Sequence, residues 1–311
     1  MNTRTRRWAV AIVSIAFIAG CSTSQSTPLL PPTQQHRTSQ PPAGGPSAQT
    51  PCGTAKAPPK YEHIVWLVME NHGPDQVVGS QDAPYLNSLI EKCGLATNSH
   101  AVAHPSLPNY IAMTSGGTQG ITNDGPPAQH PLTADSIFSQ LGEGKWRSLS
   151  QSMPSNCYQR NAGTYVPRHN PATYYVNIVG QCSNQATPLT EPPDLSAPFT
   201  FNAPNQRSNT HDTSVSYGDE WLAEFIPTVL DSPEYTSGRT AVVITYDEDE
   251  NEGNPSNPIA TVLIAPSTTP GTRDATYYSH YSLLRTTEEL LGLGLLGQAG
   301  QATSMRKGFN L

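Results

Sequence analysis

The chain has 311 residues, with 17 Lys and Arg against 24 Asp and Glu, and its formal net charge is −7. Only 13% of its residues are charged, and no Lys- or Arg-rich run follows the first few residues, so nucleic acid is not an expected partner. Past those first residues, no apolar run approaches the length of a transmembrane helix.

The N-terminus has the features of an export signal. Residues 1–20 carry three arginines and then a short apolar run, the charge order of a secretory signal, and their removal would take the net charge from −7 to −10. The sequence IAGC at the end of this run resembles the lipobox of bacterial lipoproteins, which implies a lipid on Cys21. An ordinary signal peptide with Cys21 free is the alternative. The protein is therefore expected to be exported, and either lipid-anchored to the outer face of the cell membrane or secreted.

A segment poor in large apolar residues follows the signal. Residues 21–58 are rich in Pro, Ser, Thr and Gln and cannot bury enough surface to offset the entropy lost on ordering, which predicts a disordered tether. A flexible chain of this length reaches on the order of 30 Å. Residues 59–311 then form one domain of ordinary size.

Strand and helix patterns alternate along this domain. HIVWLVM is a continuous apolar run typical of a strand buried on both faces of a sheet, APYLNSLIEKCG predicts a helix ended by Gly94, and LATNSHAVA predicts a second strand. Residues 126–204 lack periodicity and are interpreted as long loops, with short elements such as SIFSQLG, that wall a pocket. GDEWLAEFIPTVL predicts a helix kinked or ended at Pro227, TAVVITY and IATVLIAP predict strands, and HYSLLRTTEELLGLG predicts a closing helix. The alternation favours an α/β fold, a three-layer α/β/α sandwich with a mostly parallel sheet.

Four cysteines remain when Cys21 is set aside. An even number in an exported protein indicates disulfides, and four cysteines allow three connectivities. Cys52–Cys93 and Cys157–Cys182 are favoured because each pair closes a local loop. No C-x-x-C spacing supports zinc ligation instead.

Acidic side chains follow two of the predicted strands. Glu70 and Asn71 come after HIVWLVM, and Asp247 and Glu248 come after TAVVITY. Because parallel strands end at one edge of a sheet, these groups should converge, and their repulsion is costly unless a cation lies between them. The remaining acidic residues of DEDENEG are better explained as a solvated loop.

The stretch HPSLPNYIAMTSGG predicts a helix with Ser106 as its N-cap, Pro108 in its first turn and Gly116 at its C-terminus. Exposed N–H groups at a helix start favour an anion beside the serine hydroxyl. A serine at such a position is usually structural. Beside two sets of strand-end carboxylates, we expect it to be a nucleophile.

Histidines open two further segments at the same predicted edge. His211 and Asp212 lie in PNQRSNTHDTSVSYGDEWL, whose polar residues, Asp219 included, are expected in a loop after a probable strand, and His280 begins the last helix. An isolated histidine is most often an ordinary hydrogen-bonded residue, so contact with the site is an open alternative for both.

Together these motifs resemble the bacterial phosphoesterase family of acid phosphatases and phospholipases C, which belongs with the alkaline phosphatase superfamily. The likeness runs through VMENHGPDQVVG, HPSLPNYIAMTSG, PNQRSNTHDTSVSYGDEWL, VVITYDEDE and HYSLLRTTEELLGL, in order over residues 61–294, and is nearest to the short members. Nucleotide pyrophosphatases of that superfamily place a nucleophilic threonine where SLPN has Ser106. The resemblance implies a metal held by Glu70, Asn71, Ser106, Asp247 and Glu248. It also implies His104, Asn109, His211, Asp212 and His280 on the phosphate or leaving-group side.

Two departures leave the metal open. The best-known superfamily members hold two zinc ions with several histidines and aspartates, whereas here the ligands are a Glu-Asn pair and a Glu after Asp247. This hard, oxygen-rich set favours calcium or magnesium over zinc.

Three functions remain as hypotheses. The first is a metal-dependent phosphomonoesterase that acts through a phosphoserine, with His211 or His280 as general acid. The second is a phospholipase C-type phosphodiesterase acting on a phospholipid head group. The third is a binding lipoprotein without catalysis. For an enzyme, a small phosphorylated substrate, a membrane contact through the lipid anchor and a monomeric state are expected.

Overall fold

The computed structural model describes residues 44–251 and 253–311. The predicted signal peptide, the lipid attachment at Cys21, the first part of the tether (residues 21–43) and Glu252 lie outside the described residues. None of the helices in the described part is long and apolar enough to cross a membrane.

Within the described residues, one nine-stranded sheet runs through the domain in the order β4-β3-β5-β1-β6-β7-β2-β8, with β9 paired to β2. Its strands are β1 (His63–Met69), β2 (Gly94–His100), β3 (Trp146–Ser150), β4 (Ala186–Pro188), β5 (Phe199–Ala203), β6 (Thr240–Tyr246), β7 (Pro258–Ile264), β8 (Thr272–Asp274) and β9 (Tyr278–Ser279). The pairs from β4 to β6 are parallel, and β7 is antiparallel to both of its neighbours.

Helices cover both faces of this sheet. They are α1 (Pro74–Val77), α2 (Pro84–Lys92), α3 (Ser106–Ser115), α4 (Ile137–Leu141), α5 (Val179–Gln185), α6 (Val215–Leu230), α7 (Pro233–Thr236), α8 (His280–Leu291) and α9 (Arg306–Phe309), with 3₁₀ turns at Pro167–His169, Pro171–Thr173, Val176–Ile178 and Gly297–Gly300. Side chains of α3, α4 and α8 share one apolar core, and those of α2, α6 and α7 share the other. The predicted three-layer α/β/α sandwich is confirmed.

The central strand β1 shows why the sheet is buried on both faces. Trp66 and Val68 belong to one core, and Val65 and Leu67 belong to the other, because successive side chains of a strand point to opposite faces. A run that is apolar at every position is therefore the pattern a central parallel strand requires.

The middle of the chain differs from its sequence-based prediction. Residues 126–204, expected as loops, contribute β3, β4 and β5 to the sheet. These strands carry polar side chains that are satisfied internally: Ser148 donates to Asn170, and Asn202 donates to the Trp66 carbonyl. Strand β3 lacks apolar alternation, so its local pattern does not predict a strand, whereas β5 alternates the apolar Phe199, Phe201 and Ala203 with polar residues.

Two smaller boundaries also differ. Helix α2 ends at Lys92 and Gly94 already belongs to β2, so Gly94 is not a helix cap. Helix α6 begins at Val215 and continues through Pro227 to Leu230, because Val229 and Leu230 remain buried in the core beyond the proline.

Residues 44–58, assigned to the tether from composition, pack against the domain. The Ala48 amide donates to Asp231, the Pro51 carbonyl accepts from the buried Tyr235 hydroxyl, and the Gly53 amide donates to the Thr268 carbonyl. The Cys52–Cys93 disulfide fixes this segment covalently. Composition could not show these long-range contacts, so the predicted boundary at residue 58 is too late. Both favoured disulfides are present, the second being Cys157–Cys182.

A buried carboxyl on α8 makes stability depend on pH. Glu288 is fully buried, one of its oxygens accepts from the Leu296 amide, and burial raises its pKa from 4.5 to about 7. The folded state therefore keeps a proton between these values that the unfolded state releases, so stability falls as pH rises through this window. We expect the free energy of unfolding of the wild type to fall by roughly 3 kcal/mol between pH 4.5 and pH 7 because of this group, and this fall should be absent in Glu288→Gln.

Denaturant unfolding of wild type and Glu288→Gln at pH 5 and pH 7.5 measures this effect. Glu220→Gln, on the exposed side of α6, is the matched control and should follow the wild type at both pH values. Equal pH dependence in wild type and Glu288→Gln would contradict the assignment.

Candidate active site

The carboxyl ends of β1 and β6 bring the predicted acidic residues together. The two strands pair in parallel with Met69 opposite Tyr246, so Glu70 and Asp247 leave the sheet side by side. The Asn71 amide donates to one Asp247 oxygen at 3.1 Å. Both carboxylates are fully buried, and Glu248 is nearly so.

Ser106 lies against these carboxylates at the start of α3. Its hydroxyl oxygen is 3.1 Å from Glu70 Oε2 and 3.1 Å from Glu248 Oε1. One hydroxyl proton serves only one of these acceptors at a time. The structure therefore joins the ends of two strands and one helix through a single serine, as the sequence predicts.

The cap of α3 differs from the prediction. Pro105 is the N-cap, Ser106 is the first helical residue, and its side chain makes no capping bond. Its hydroxyl is used on the carboxylates instead. The Leu107 amide donates to Asp124 Oδ1 at 2.9 Å, so a residue from the following loop serves the helix start.

Glu70 has two partners that sequence reasoning missed. The Tyr110 hydroxyl donates to Glu70 Oε1 at 2.5 Å, and His169 Nε2 lies 3.0 Å from the same oxygen. Asn209 Nδ2 donates to His169 Nδ1, which leaves the proton on Nε2, facing Glu70. Tyr110 looked like an ordinary apolar helix position, and His169 lies in the segment interpreted as loop.

Burial dominates the electrostatics of this cluster. The pKa of Glu70 is raised well above 4.5 by burial and by the neighbouring Asp247 charge. Burial raises the pKa of Asp247 to about 7, against the hydrogen bond from the Asn71 amide. Carboxylates held so close in a dry site are stabilised by a cation between them.

The donor set fits a hard divalent cation. Asn71 Oδ1 and Asp247 Oδ2 are buried and have no hydrogen-bond partner among the residues that the structure describes, which is costly unless another group uses them. Within residues 44–251 and 253–311, no three His, Cys, Asp or Glu side chains are already disposed around a metal position. The fit therefore depends on the amide and hydroxyl oxygens of Asn71 and Ser106 as well as on the carboxylates.

The structure places the predicted histidines in three different settings. His104 Nδ1 lies 2.6 Å from Glu248 Oε2. His280 is buried, donates from Nε2 to the Asp247 carbonyl at 2.6 Å, and has its pKa lowered to about 4 by burial. His211 is partly exposed and lies between Asp212 and Arg168. All three border the carboxylate cluster or its immediate neighbours.

Two predicted loop residues are structural. Asp219 lies within α6 and accepts from the amides of Tyr85 and Leu86, so it caps α2 instead of facing the site. Asp249 accepts from the Asn251 amide and from the Asn254 side chain, but it is buried, so it is not part of a solvated loop as predicted.

Asn109 does not have the predicted phosphate-binding role. Its side-chain oxygen accepts from the amides of Val102 and Ala103, and its side-chain nitrogen donates to the carbonyls of Ala103 and Pro105. The amide is fully buried and fully used. Asn109 therefore positions the loop that carries His104 and leads to Ser106.

Asn109→Ala separates these two roles. Because four hydrogen bonds are lost in a buried place, we expect a loss of about 2–4 kcal/mol in the free energy of unfolding, measured with denaturant. If Asn109 only contacted phosphate, its substitution by alanine would instead raise KM and leave the free energy of unfolding unchanged. Asn87→Ala, which removes a comparable side-chain amide within α2 that bonds the carbonyls of Val77 and Ala83, is a control for stability loss away from the site.

Comparison with solved structures gives the fold class. The chain superposes on a protein of the alkaline phosphatase superfamily from Vibrio parahaemolyticus with a TM-score of 0.55 and 15% identity, covering 85% of this chain and 74% of that one. The lipoteichoic acid synthase LtaP from Listeria monocytogenes gives a TM-score of 0.54 at 13% identity, covering 78% and 76%. The domain has the alkaline phosphatase superfamily fold.

Sequence comparison gives the family. The model of the Phosphoesterase family matches residues 79–294. The phosphatidylinositol-3-phosphatase of Mycobacterium tuberculosis is 30% identical over 80% of this chain and 83% of its own length, and an acid phosphatase of Aspergillus fumigatus is 30% identical over 75% of this chain and 55% of its own. The chain belongs to the Phosphoesterase family, and it is a phosphoric ester hydrolase.

Proposed function

We propose that the chain hydrolyses phosphate monoesters with Ser106 as nucleophile and with the help of a divalent cation. The observation that carries this proposal is the position of the Ser106 hydroxyl, at a helix start and 3.1 Å from the carboxylates of both Glu70 and Glu248. Family membership leaves the non-catalytic hypothesis without support.

The chemistry follows from these contacts. Ser106 Oγ attacks phosphorus, its proton passes to the Glu70 or Glu248 carboxylate, and the bond from phosphorus to the alcohol oxygen breaks. The alcohol leaves with a proton, and water then attacks the phosphoserine and returns Ser106 to its free form. His104, beside Glu248, and the Tyr110–His169 pair on Glu70 hold the two carboxylates in place.

Five residues would hold the cation: Glu70, Asn71, Ser106, Asp247 and Glu248. When bound, it would supply Lewis-acid stabilisation of the charge that develops on the phosphoryl oxygens. The donors are carboxylate, amide and hydroxyl oxygens, which favours magnesium or calcium over zinc. The unpartnered oxygens of Asn71 and Asp247 are the structural support for this set.

Of the two predicted general acids, His211 is the better placed. Its side chain is 28% exposed and its Nδ1 donates to Asp212 Oδ1 at 2.8 Å, while its Nε2 accepts from Arg168. To act as general acid on the leaving alcohol, His211 must release that guanidinium and take up a proton at Nε2, which it then donates to the alcohol oxygen. His280 is buried, and its Nε2 proton is used on the Asp247 carbonyl, so we assign it a positioning role.

The natural substrate is proposed from the relatives and the sequence. The names of the relatives, a phosphatidylinositol-3-phosphatase and acid phosphatases, support a monoester on a small molecule or a lipid head group. The N-terminal pattern supports export, anchoring through Cys21 and action at the cell envelope, and we take the monomer as the working state. Phosphodiester cleavage of the phospholipase C type is the second candidate.

Hydrolysis of p-nitrophenyl phosphate and bis(p-nitrophenyl) phosphate by wild type and Ser106→Ala tests this proposal. The proposal is supported if wild type hydrolyses the monoester and Ser106→Ala does not. Faster turnover of the diester would select the second candidate.

A further inference from the structure

A cavity of about 280 Å³ adjoins the catalytic cluster and contains two guanidinium groups. It is lined by Asp124, Pro126, Gln159, Arg160, Asn161, Pro167 and Arg168. Two of these residues connect it directly to the site: Asp124 accepts from the Leu107 amide, next to Ser106, and Arg168 precedes His169, which contacts Glu70. We refer to it as the arginine pocket.

The two arginines differ in how they are held. Arg168 is restrained, with Nε 3.6 Å from Asp124 Oδ2 and Nη2 3.2 Å from His211 Nε2. Arg160 is exposed and has no hydrogen bond or ion pair with any residue of the described chain. Its guanidinium is therefore free to pair with an anion that enters the pocket.

The loop that carries Arg160 is fixed at both ends. Cys157, three residues before Arg160, is bonded to Cys182, and the Tyr165 hydroxyl donates to the Tyr158 carbonyl at 2.6 Å. Ala162 and Tyr165 also exchange backbone hydrogen bonds. Arg160 is thus presented from a restrained loop, which lowers the entropic cost of binding a ligand there.

The other neighbouring cavity has the opposite charge. A space of about 580 Å³ on the β7 side is lined by Asp75, Asp249 and Glu250, among others. An anionic group would be repelled there and attracted to the arginine pocket, where Asp124 offsets the charge of Arg168 at 3.6 Å and Arg160 carries a positive charge that no residue of the described chain compensates. The site therefore has a charge asymmetry that orients any substrate carrying a second negative group.

We propose that the arginine pocket binds a second phosphoryl group carried by the alcohol portion of the substrate, with Arg160 as the principal contact and Arg168 as its neighbour. The inference rests on the proposed function, because it assigns the substrate class of the same site. Planar guanidinium groups pair with phosphate through two parallel hydrogen bonds, which gives both affinity and orientation. The preferred substrates are thus bisphosphorylated alcohols, from solution or from a lipid head group.

The test compares kcat/KM for fructose 1,6-bisphosphate with the values for fructose 1-phosphate and fructose 6-phosphate. For wild type we expect a preference of about tenfold for the bisphosphate, and this preference should weaken with added salt. In Arg160→Gln the preference for the bisphosphate should fall to about twofold, because the bisphosphate still offers two cleavable phosphates per molecule. Turnover of the two monophosphates should be unchanged.

Arg306→Gln is the matched control, since it removes an exposed arginine from α9, at the opposite edge of the sheet. It should retain the wild-type preference and its salt dependence. An unchanged preference in Arg160→Gln, or an equal loss for all three substrates, would overturn the proposal.

Two additional arms separate the sources and the possible failures. A phosphoinositide monophosphate in phosphatidylcholine vesicles tests the lipid source. If Arg160→Gln loses turnover of this lipid but keeps the wild-type preference for the sugar bisphosphate, binding of soluble bisphosphates in the pocket is overturned. If Ser106→Ala remains active and the Arg160 effect persists, the nucleophile is wrong and the pocket is right. Binding of fructose 1,6-bisphosphate to Ser106→Ala, measured calorimetrically with and without Arg160→Gln, reports on the pocket independently of turnover.

Discussion

Replacing Ser106 by alanine is expected to lower kcat for an aryl phosphate by at least about 10³-fold. The substitution removes the oxygen that forms the bond to phosphorus and the hydroxyl that links Glu70 and Glu248. The fold should survive, because alanine suits the first turn of a helix and the removed group makes no capping bond.

Ser115→Ala is the matched control for this result. Ser115 is a buried serine at the other end of α3, and its hydroxyl donates to the Ile111 carbonyl instead of a carboxylate. The initial rates of Ser106→Ala and Ser115→Ala on the aryl phosphate are compared, and circular dichroism checks that both variants are folded. Full activity in Ser106→Ala, or an equal loss in Ser115→Ala, would contradict the assignment of the nucleophile.

Removal of divalent cations is expected to lower activity by at least about 10²-fold, and magnesium or calcium should restore it. Asp247→Asn should cause a loss of similar size that added metal does not restore. Asparagine keeps the acceptor for the Asn71 amide, so the hydrogen bond at 3.1 Å can persist while the charge that attracts the cation is lost.

Binding gives a second measurement of the same prediction. Magnesium or calcium should raise the Tm of the wild-type protein through binding to the folded state, and this shift should be absent in Asp247→Asn. Asp249→Asn, in the neighbouring acidic loop, should keep both activity and the Tm shift, because Asp249 bonds within its own loop. Metal-independent turnover, or a Tm shift lost only in Asp249→Asn, would contradict the predicted ligand set.

The central part of the sheet and the acidic cluster were predictable from local patterns. The strands around Trp66 and Val243 are continuously apolar because both faces are covered, and the residues that follow such strands must meet at one edge. Glu70 and Asp247 were found in this way, and Ser106 was found from the helix pattern that begins at HPSLPN. The disulfides also followed from local loop closure.

The missed features depend on contacts between distant parts of the chain. His169 and Tyr110 are recognisable as partners of Glu70 only after the turn at Pro167–His169 is packed against α3. The role of Asn109 is similar, because its four bonds form with a neighbouring loop that composition does not describe. Strand β3 was missed because its apolar residues do not alternate and Ser148 is satisfied by a tertiary partner.

The most direct test of the account is to trap the covalent intermediate. Wild-type protein is mixed with a phosphate monoester, quenched in acid within the first turnover, digested and examined by mass spectrometry. The account predicts one added phosphoryl group on the peptide that contains Ser106, and none in Ser106→Ala. Phosphate on another residue, or full turnover with no phosphorylated peptide at any quench time, would contradict it.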